Sequence, residues 1–219
     1  MDRQVAVYGV GGHGREIASY IREGRAPGLS LTGFVDDNID NAGSSVNGVP
    51  VFRFEDQKLD PATISIICGV GDPKIRERLA AKCASRGFSF ATLAACSPLS
   101  RDVRLGEGVM IAPGSVLTTN IELGRHVHIN VACSISHDVF IDDFANVNPG
   151  VHINGWVRIG RRAYIGAGAV ISNGRPGDPL TIGDDAVIGA GACVLRPVPA
   201  ATTVVGVPAR PIRAQDLRT

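Results

Sequence analysis

With 219 residues, 44% hydrophobic content and a net charge of +1, the chain has room for one or two domains and no charge excess that would argue for nucleic acid or an anionic membrane surface. No apolar run approaches the roughly 20 residues of a membrane span, and the opening Met1-Asp2-Arg3-Gln4 lacks the layout of a signal peptide. The five cysteines, Cys68, Cys83, Cys96, Cys133 and Cys193, form an odd set without CxxC spacing. They read as buried free thiols of a reducing, cytoplasmic compartment.

The first part of the chain alternates strands with helices. Gln4–Tyr8 is a short apolar strand, followed by Gly9-Val10-Gly11-Gly12-His13-Gly14 and a helical run from Arg15 to Arg22. Leu31–Val35 reads as a second strand ending in Asp36-Asp37-Asn38. A polar, glycine-containing stretch leads to Val49–Phe52. Thr63–Cys68 is a buried strand closed by Gly69-Val70-Gly71-Asp72-Pro73. The next helix, Lys74–Ser85, is capped by Asp72 and carries Ile75, Leu79 and Ala80 at helical spacing; Phe88–Leu93 is a last strand. This pattern predicts a small Rossmann-like α/β domain over residues 1–92.

The glycine loop carries chemistry. A GxGxxG that leaves a strand and opens a helix lets the backbone approach a diphosphate, and the helix start supplies unpaired N–H groups and a positive dipole end. Asp36, at the end of the second strand, stands where an acid that binds ribose is expected. About 90 residues is short for a dinucleotide fold with two halves, so one nucleotide diphosphate suits the size better.

From Leu105 to Ile171 the pattern changes. Every sixth residue is a branched aliphatic, twelve positions without a miss: Leu105, Ile111, Leu117, Leu123, Ile129, Ile135, Ile141, Val147, Ile153, Ile159, Ile165 and Ile171. A small or polar residue always follows. A period of six is neither a helix nor a single strand; it predicts a hexapeptide parallel β-helix whose aliphatics stack in one column, over residues 93–219 with the C-terminal tail. The phase breaks after Ile171 and resumes at Ile182, so Asn173–Pro179 reads as a loop pushed out of a corner. His126 and His128 are two apart, with His152 further on; an i, i+2 pair in a strand points one way without a third partner, and no metal is expected.

The two halves together resemble a known family, the bacterial sugar acyltransferases with a short N-terminal α/β domain and a left-handed β-helix. Its members include nucleotide-sugar N-acetyltransferases of glycan biosynthesis and sialic acid O-acetyltransferases. The likeness is carried by Val7-Tyr8-Gly9-Val10-Gly11-Gly12-His13-Gly14-Arg15-Glu16, Phe34-Val35-Asp36-Asp37, Gly69-Val70-Gly71-Asp72, Ser136-His137-Asp138 and Gly206-Val207-Pro208-Ala209-Arg210. It spans about residues 4 to 212 in this order.

The resemblance implies a homotrimer with acetyl-CoA as co-substrate in a groove between neighbouring β-helices, and direct transfer to a sugar amine. His137 stands at the position of the general base, a role that suits an imidazole near neutral pH. Asp138 follows it where the family usually has Glu; being one methylene shorter, it puts the hydrogen bond to the ring in question. Gly9, Gly11, Gly12, His13 and Gly14 are expected at the diphosphate or sugar, Asp36 and Asp37 at ribose or base, and Asn130 near the base and substrate. Gly155, Ala167 and Ala190 are expected along the CoA backbone, with Arg210 and Arg213 at its acidic end. Asn146 replaces a family histidine and is expected to donate to the thioester carbonyl. The implied activity is an acetyl-CoA-dependent N-acetyltransferase acting on a nucleotide-linked amino sugar. O-acetylation of a sugar or sialic acid, and a non-catalytic trimeric scaffold, are the alternatives the sequence leaves open.

Overall fold

The computed structural model describes residues 2–38, 40, 43–96 and 99–212. The chain divides into two compact units, Met1–Ala95 and Cys96–Thr219.

The first unit is built on β1 (Arg3–Tyr8), α1 (Gly12–Arg22), β2 (Leu29–Val35), β3 (Ser45–Val46), β4 (Val49–Phe52), β5 (Ile64–Cys68) and α2 (Pro73–Ser85). The sheet order is β3-β4-β2-β1-β5, with β1, β2, β4 and β5 parallel. β1 and β5 are apolar almost throughout because helices and sheet cover both faces: Val5, Ala6, Val7, Ile66 and Ile67 have no exposed surface. The chain leaves β1 towards β2 on one side and later adds β5 on the other. The carboxyl ends of β1 and β5 therefore flank the point where an open α/β sheet binds ligands.

Two details differ from the sequence expectations. The polar stretch before Val49 contains a hairpin, with β3 antiparallel to β4 across Asn47 (φ 53°) and Gly48 (φ 74°). Asn-Gly fits this turn because both central residues are left-handed. Phe88–Leu93 is not one strand: Phe90 alone bridges Ile66, and Leu93–Ala94 forms a separate short strand.

The second unit is a left-handed parallel β-helix with three faces. Face I holds the strands Val103–Leu105, Ile121–Leu123, Val139–Ile141, Val157–Ile159 and Leu180–Ile182. Face II includes Met110–Ile111, His128–Ile129, Asn146–Val147, Tyr164–Ile165, Val187–Ile188 and Thr203–Val205. Face III holds Val116–Leu117, Ser134–Ile135, His152–Ile153, Val170–Ile171 and Cys193–Val194. Each coil is three hexads, so Ile121 pairs with Val139 and Ile135 with Ile153, 18 residues on. After the 173–179 loop the partner of Val157 is Leu180, a step of 23 that accommodates the insertion without shifting the aliphatic column.

The column is buried. Ile111, Ile129, Ile135, Ile141, Val147, Ile153, Ile159, Ile165 and Ile171 have no exposed surface; Leu105 is half-buried. Burying each such side chain stabilises by about 1.5–3 kcal/mol, which makes the column the main source of cohesion. Each corner needs one left-handed residue, and these too recur every sixth position: Asn120, His126, Ala132, Asp138, Phe144, Gly150, Trp156, Arg162 and Gly168 all have φ between 53° and 68°. Along the I/II edge, charges alternate from coil to coil. Asp143 accepts from the Arg125 guanidinium at 2.6 Å and from Arg161 at 3.1 Å, while Arg162 grips Asp185 at 2.6 and 2.9 Å.

Candidate active site

Two places in the chain bring the candidate residues together, one in each unit. In the first, Gly9 sits at φ 107°, a value that only glycine adopts cheaply, and turns the chain from β1 towards α1. Gly14 lets the helix lie against the turn, since a Cβ there would stand 2.0 Å from the Gly9 carbonyl oxygen. Gly11 and Gly12 have a different status: both are exposed, and a Cβ on either meets nothing within 4 Å. Packing therefore does not demand glycine there, and the open backbone is what a diphosphate needs for close approach. Gly11 caps α1 without a side-chain hydrogen bond, and no acid occupies the first turn, which leaves the helix start open to an anion.

Asp36 faces this loop. Its Oδ2 accepts from the Val10 N–H at 3.3 Å and its Oδ1 from the Asn38 N–H at 2.8 Å. Asp37 is engaged elsewhere: its Oδ1 accepts from Tyr8 Oη at 2.7 Å and from Lys82 Nζ at 2.6 Å. Burial pushes the Asp37 carboxyl up, but the hydrogen bonds from Lys82 and Tyr8 outweigh it and hold the group below the usual carboxylate range. Burial and then Asp37 push the Tyr8 phenol well above its ordinary value, so it stays a donor.

His13 is largely buried, with Nδ1 3.5 Å from Glu16 Oε2. Burial, and then the charge of Arg76, hold its imidazole below the ordinary 6.5 against the opposing pull of Glu16.

Arg76 is the residue that sequence reasoning missed. The expected apolar stripe on α2 was Ile75, Leu79 and Ala80. The structure buries Ala80 as expected, but together with Pro73, Arg76 and Cys83, and leaves Leu79 half-buried and Ile75 40% exposed. The Arg76 guanidinium is fully buried, donates to the Val70 and Gly71 carbonyls at 2.7 and 3.1 Å, and is lowered by burial to about 10. The signal available in the sequence was its spacing, three residues after Pro73 on the buried face. Asp72 caps the helix as expected, accepting from the Ile75 N–H at 2.8 Å.

In the β-helix, His137 and Asp138 occupy the III/I edge. His137 is 53% exposed, and its Nδ1 lies 2.8 Å from Asp138 Oδ2. The shorter acid reaches the ring after all because Asp138 is the left-handed corner residue (φ 58°), which turns its side chain back over its neighbour. Asp138 Oδ1 accepts from Asn120 Nδ2 at 3.2 Å, fixing the carboxylate one coil down. A carboxylate on Nδ1 places the ring proton there and leaves Nε2 as the acceptor. Trp156, one coil up, stands edge-on to the imidazole at 6.5 Å between ring centroids. A cleft of about 530 Å³ opens on the Asp138 side of this edge, lined by Asn120, Glu122, Phe140, Trp156, Arg158 and Pro179. His137 itself does not line it, so the carboxylate rather than the basic nitrogen faces that space.

The remaining candidates divide between two other regions. Asn130, Ala167 and Ala190 lie on the II/III edge. Ala167 and Ala190 are exposed, and Gly168 and Gly191 beside them would offer an added Cβ no neighbour within 4 Å, so this edge is a bare strip of backbone. The Ala167 carbonyl accepts from the Gly191 N–H at 2.8 Å. Asn130 Oδ1 accepts from the Val131 N–H at 2.7 Å, a local cap. Gly155 belongs with His137 on the III/I edge. Asn146 departs from expectation: on face II, in register with His128 and Tyr164, it is only 3% exposed, which withholds its amide from a ligand arriving from solvent. Arg210 is exposed on a terminal strand paired with Val205; Arg213 lies outside the described residues.

His126 stacks on Phe144 at a corner, His128 is buried on face II, and His152 is bonded to Ser134 Oγ at 2.7 Å on face III. Among the described residues no group of three or more His, Cys, Asp or Glu converges as a metal site. Cys68, Cys83 and Cys133 are buried as expected, whereas Cys96 and Cys193 are half-buried. No helix among the described residues is long and apolar enough to cross a membrane.

Comparison with known proteins places this arrangement in a family. Residues 4–83 match the PglD N-terminal domain and residues 132–173 the bacterial transferase hexapeptide of six repeats. GDP-perosamine N-acetyltransferase of Escherichia coli is 35% identical over 213 residues, covering 94% of this chain and 95% of its own length. The acetyltransferase domain of PglB from Neisseria gonorrhoeae, solved with acetyl coenzyme A, shares 31% identity at a TM-score of 0.83 over 97% of this chain and all (100%) of its own. PerB from Caulobacter crescentus, solved with CoA and GDP-perosamine, shares 31% identity at a TM-score of 0.79 over 96% and 97% of the two chains. The chain belongs to the bacterial sugar acyltransferases that join a PglD-type N-terminal domain to a hexapeptide left-handed β-helix.

Proposed function

We propose that the protein transfers the acetyl group of acetyl-CoA directly to the amine of a nucleotide-linked amino sugar, with His137 as general base. The observation that carries the chemistry is the His137–Asp138 pair at 2.8 Å on an exposed edge of the β-helix. Its context is a chain 35% identical, nearly end to end, to an enzyme named for N-acetylation of a GDP-linked amino sugar. The amine nitrogen forms the new C–N bond as the C–S bond of the thioester breaks. Nε2 of His137 takes the amine proton and returns it to the departing sulfur, so no acyl-enzyme is required and no cysteine takes part.

Residues 1–92 are read as the nucleotide-binding domain. Gly9, Gly11, Gly12 and Gly14 form the diphosphate loop, His13 stands beside it, and Asp36 meets the ribose, with Asp37 as part of that wall. Residues 93–219 hold the acyl transfer site. The bare strip of Ala167 and Ala190 suits the slender pantetheine arm, because nothing beyond Cβ stands between a ligand and the main chain. Arg210 is assigned to the phosphates, where a guanidinium forks well, and Asn130 to the substrate side. His137 and the alanines lie on different edges of one prism. That separation supports a homotrimer in which the III/I edge of one subunit meets the II/III edge of the next. Biosynthesis of a nucleotide sugar from acetyl-CoA implies the cytoplasm.

The test is a thermal-shift series with acetyl-CoA and with GDP-, UDP- and dTDP-linked amino sugars, GDP first, followed by product mass with the responding sugar. A ligand at 100 times its Kd stabilises by roughly 2.7 kcal/mol, an easily seen shift. His137→Ala is expected to lower kcat by about 10²–10⁴-fold with both substrates still bound. A product acetylated on oxygen, or no response to acetyl-CoA, would sink the proposal.

A further inference from the structure

We propose that Gly155 is a positioning residue for His137: it is glycine so that the imidazole can lie against the backbone of the next coil, within reach of Asp138. This rests on His137 acting as the base, and it departs from the assignment of Gly155 to CoA.

The argument starts from what glycines do in this fold. Gly106, Gly124, Gly160, Gly166 and Gly183 stack one coil on another; a Cβ at each would stand within 2.8 Å of backbone atoms in the following coil. Gly108 and Gly114 occupy left-handed corners. Gly155 does neither. Its φ lies outside the left-handed region, and the three atoms nearest an added Cβ are all in the His137 ring: Cε1 at 2.5 Å, Nε2 at 2.7 Å and Nδ1 at 3.0 Å. The corresponding places in the two preceding coils hold Thr119 and His137, so the corner itself accepts side chains. Here the nearest obstacle to a side chain is the imidazole of the preceding coil.

Three contacts therefore fix the ring. Asp138 Oδ2 holds Nδ1 at 2.8 Å, Trp156 stands at its edge, and the bare Cα of Gly155, one coil up, closes the other side. The Gly155–Trp156 peptide is itself fixed, because the Trp156 N–H donates to the His137 carbonyl at 3.2 Å. The ring is half-exposed, so a methyl group at position 155 would tilt it outward rather than unravel the coil. That tilt breaks the Nδ1 hydrogen bond and swings Nε2 off its line to the amine.

Gly155→Ala tests this. The expected result is a fall in kcat of about 100-fold, the order that a misplacement near 1 Å produces, with KM for acetyl-CoA within about twofold of the parent. Nitrogen chemical shifts of the His137 ring, read with the imidazole neutral, should change from a single tautomer protonated on Nδ1 to the mixture of a free imidazole. That signal needs no turnover. If His137→Ala kept full activity, the base assignment would fall, while the tautomer shift would still decide whether Gly155 seats the ring. A raised KM for acetyl-CoA with unchanged kcat would overturn the proposal in favour of a CoA contact. Should Gly155→Ala fold poorly, His137→Ala/Gly155→Ala decides: recovery of the parent melting temperature supports the ring as the clash, and an equal loss assigns Gly155 to the fold.

Discussion

Arg76 shows how one side chain can serve two demands. Its guanidinium is buried and donates to the carbonyls of Val70 and Gly71. A buried cation costs free energy unless its hydrogen bonds are made; here they pin the loop after β5 beside the glycine loop, and the charge adds to burial in lowering the His13 imidazole. Arg76→Met should destabilise the protein by about 1–3 kcal/mol, the penalty for stranding buried carbonyls. It should also raise KM for the nucleotide sugar more than KM for acetyl-CoA; urea unfolding and steady-state kinetics with each substrate varied would check both parts. The sequence revealed the glycines, which are legible because no other residue makes a GxGxxG turn. It did not reveal Arg76, because an arginine at helical spacing looks the same in a solvated face as in a buried one.

At the scale of one element, the corners decide. A non-glycine residue in the left-handed region costs about 1–2 kcal/mol, and the β-helix accepts this at Ala132 (φ 55°), which is exposed. Ala132→Gly should therefore stabilise by roughly 0.5–1 kcal/mol, the relieved strain exceeding the entropy glycine adds to the unfolded chain; denaturant titration of the two proteins gives the difference. The I/II edge makes a second case. Burial raises the Asp143 carboxyl, but hydrogen bonds from Arg125 and the charges of Arg125 and Arg161 bring it net below its ordinary 3.8. A depressed carboxyl contributes stability above its unfolded pKa and loses it as pH falls through the folded value. Asp143→Ala should then cost about 1 kcal/mol at pH 7, where partly exposed pairs are modest. The gap between parent and variant should close below about pH 4. Unfolding measured across that range would expose a wrong sign.

For the whole molecule, the separation of His137 from Ala167 and Ala190 onto two edges makes a prediction about subunits. Mixing an inactive His137→Ala protein with an inactive Ala190→Arg protein, then allowing exchange, should restore a fraction of the activity, since some interfaces recover both intact edges. Sedimentation should give three times the 22.9 kDa of one chain. No recovery on mixing, with exchange shown by mass, would mean that each subunit contains a whole site.

The sequence alone determined the parallel β-helix, because an unbroken six-residue aliphatic period suits neither a helix nor a single strand; its handedness and its coil of three hexads were implied by the family resemblance. The sequence determined the α/β unit and its glycine turn as well, since strand, glycine turn and helix are local patterns. Tertiary structure decided what depends on stacking distant residues. It brought Asp138 into contact with His137 through a left-handed corner, and it laid the imidazole over Gly155, 18 residues away along the chain. It also withdrew Asn146 from solvent and turned Arg76 inward. Such outcomes follow from which coil or loop covers a residue, and no spacing within one hexad or helix records that.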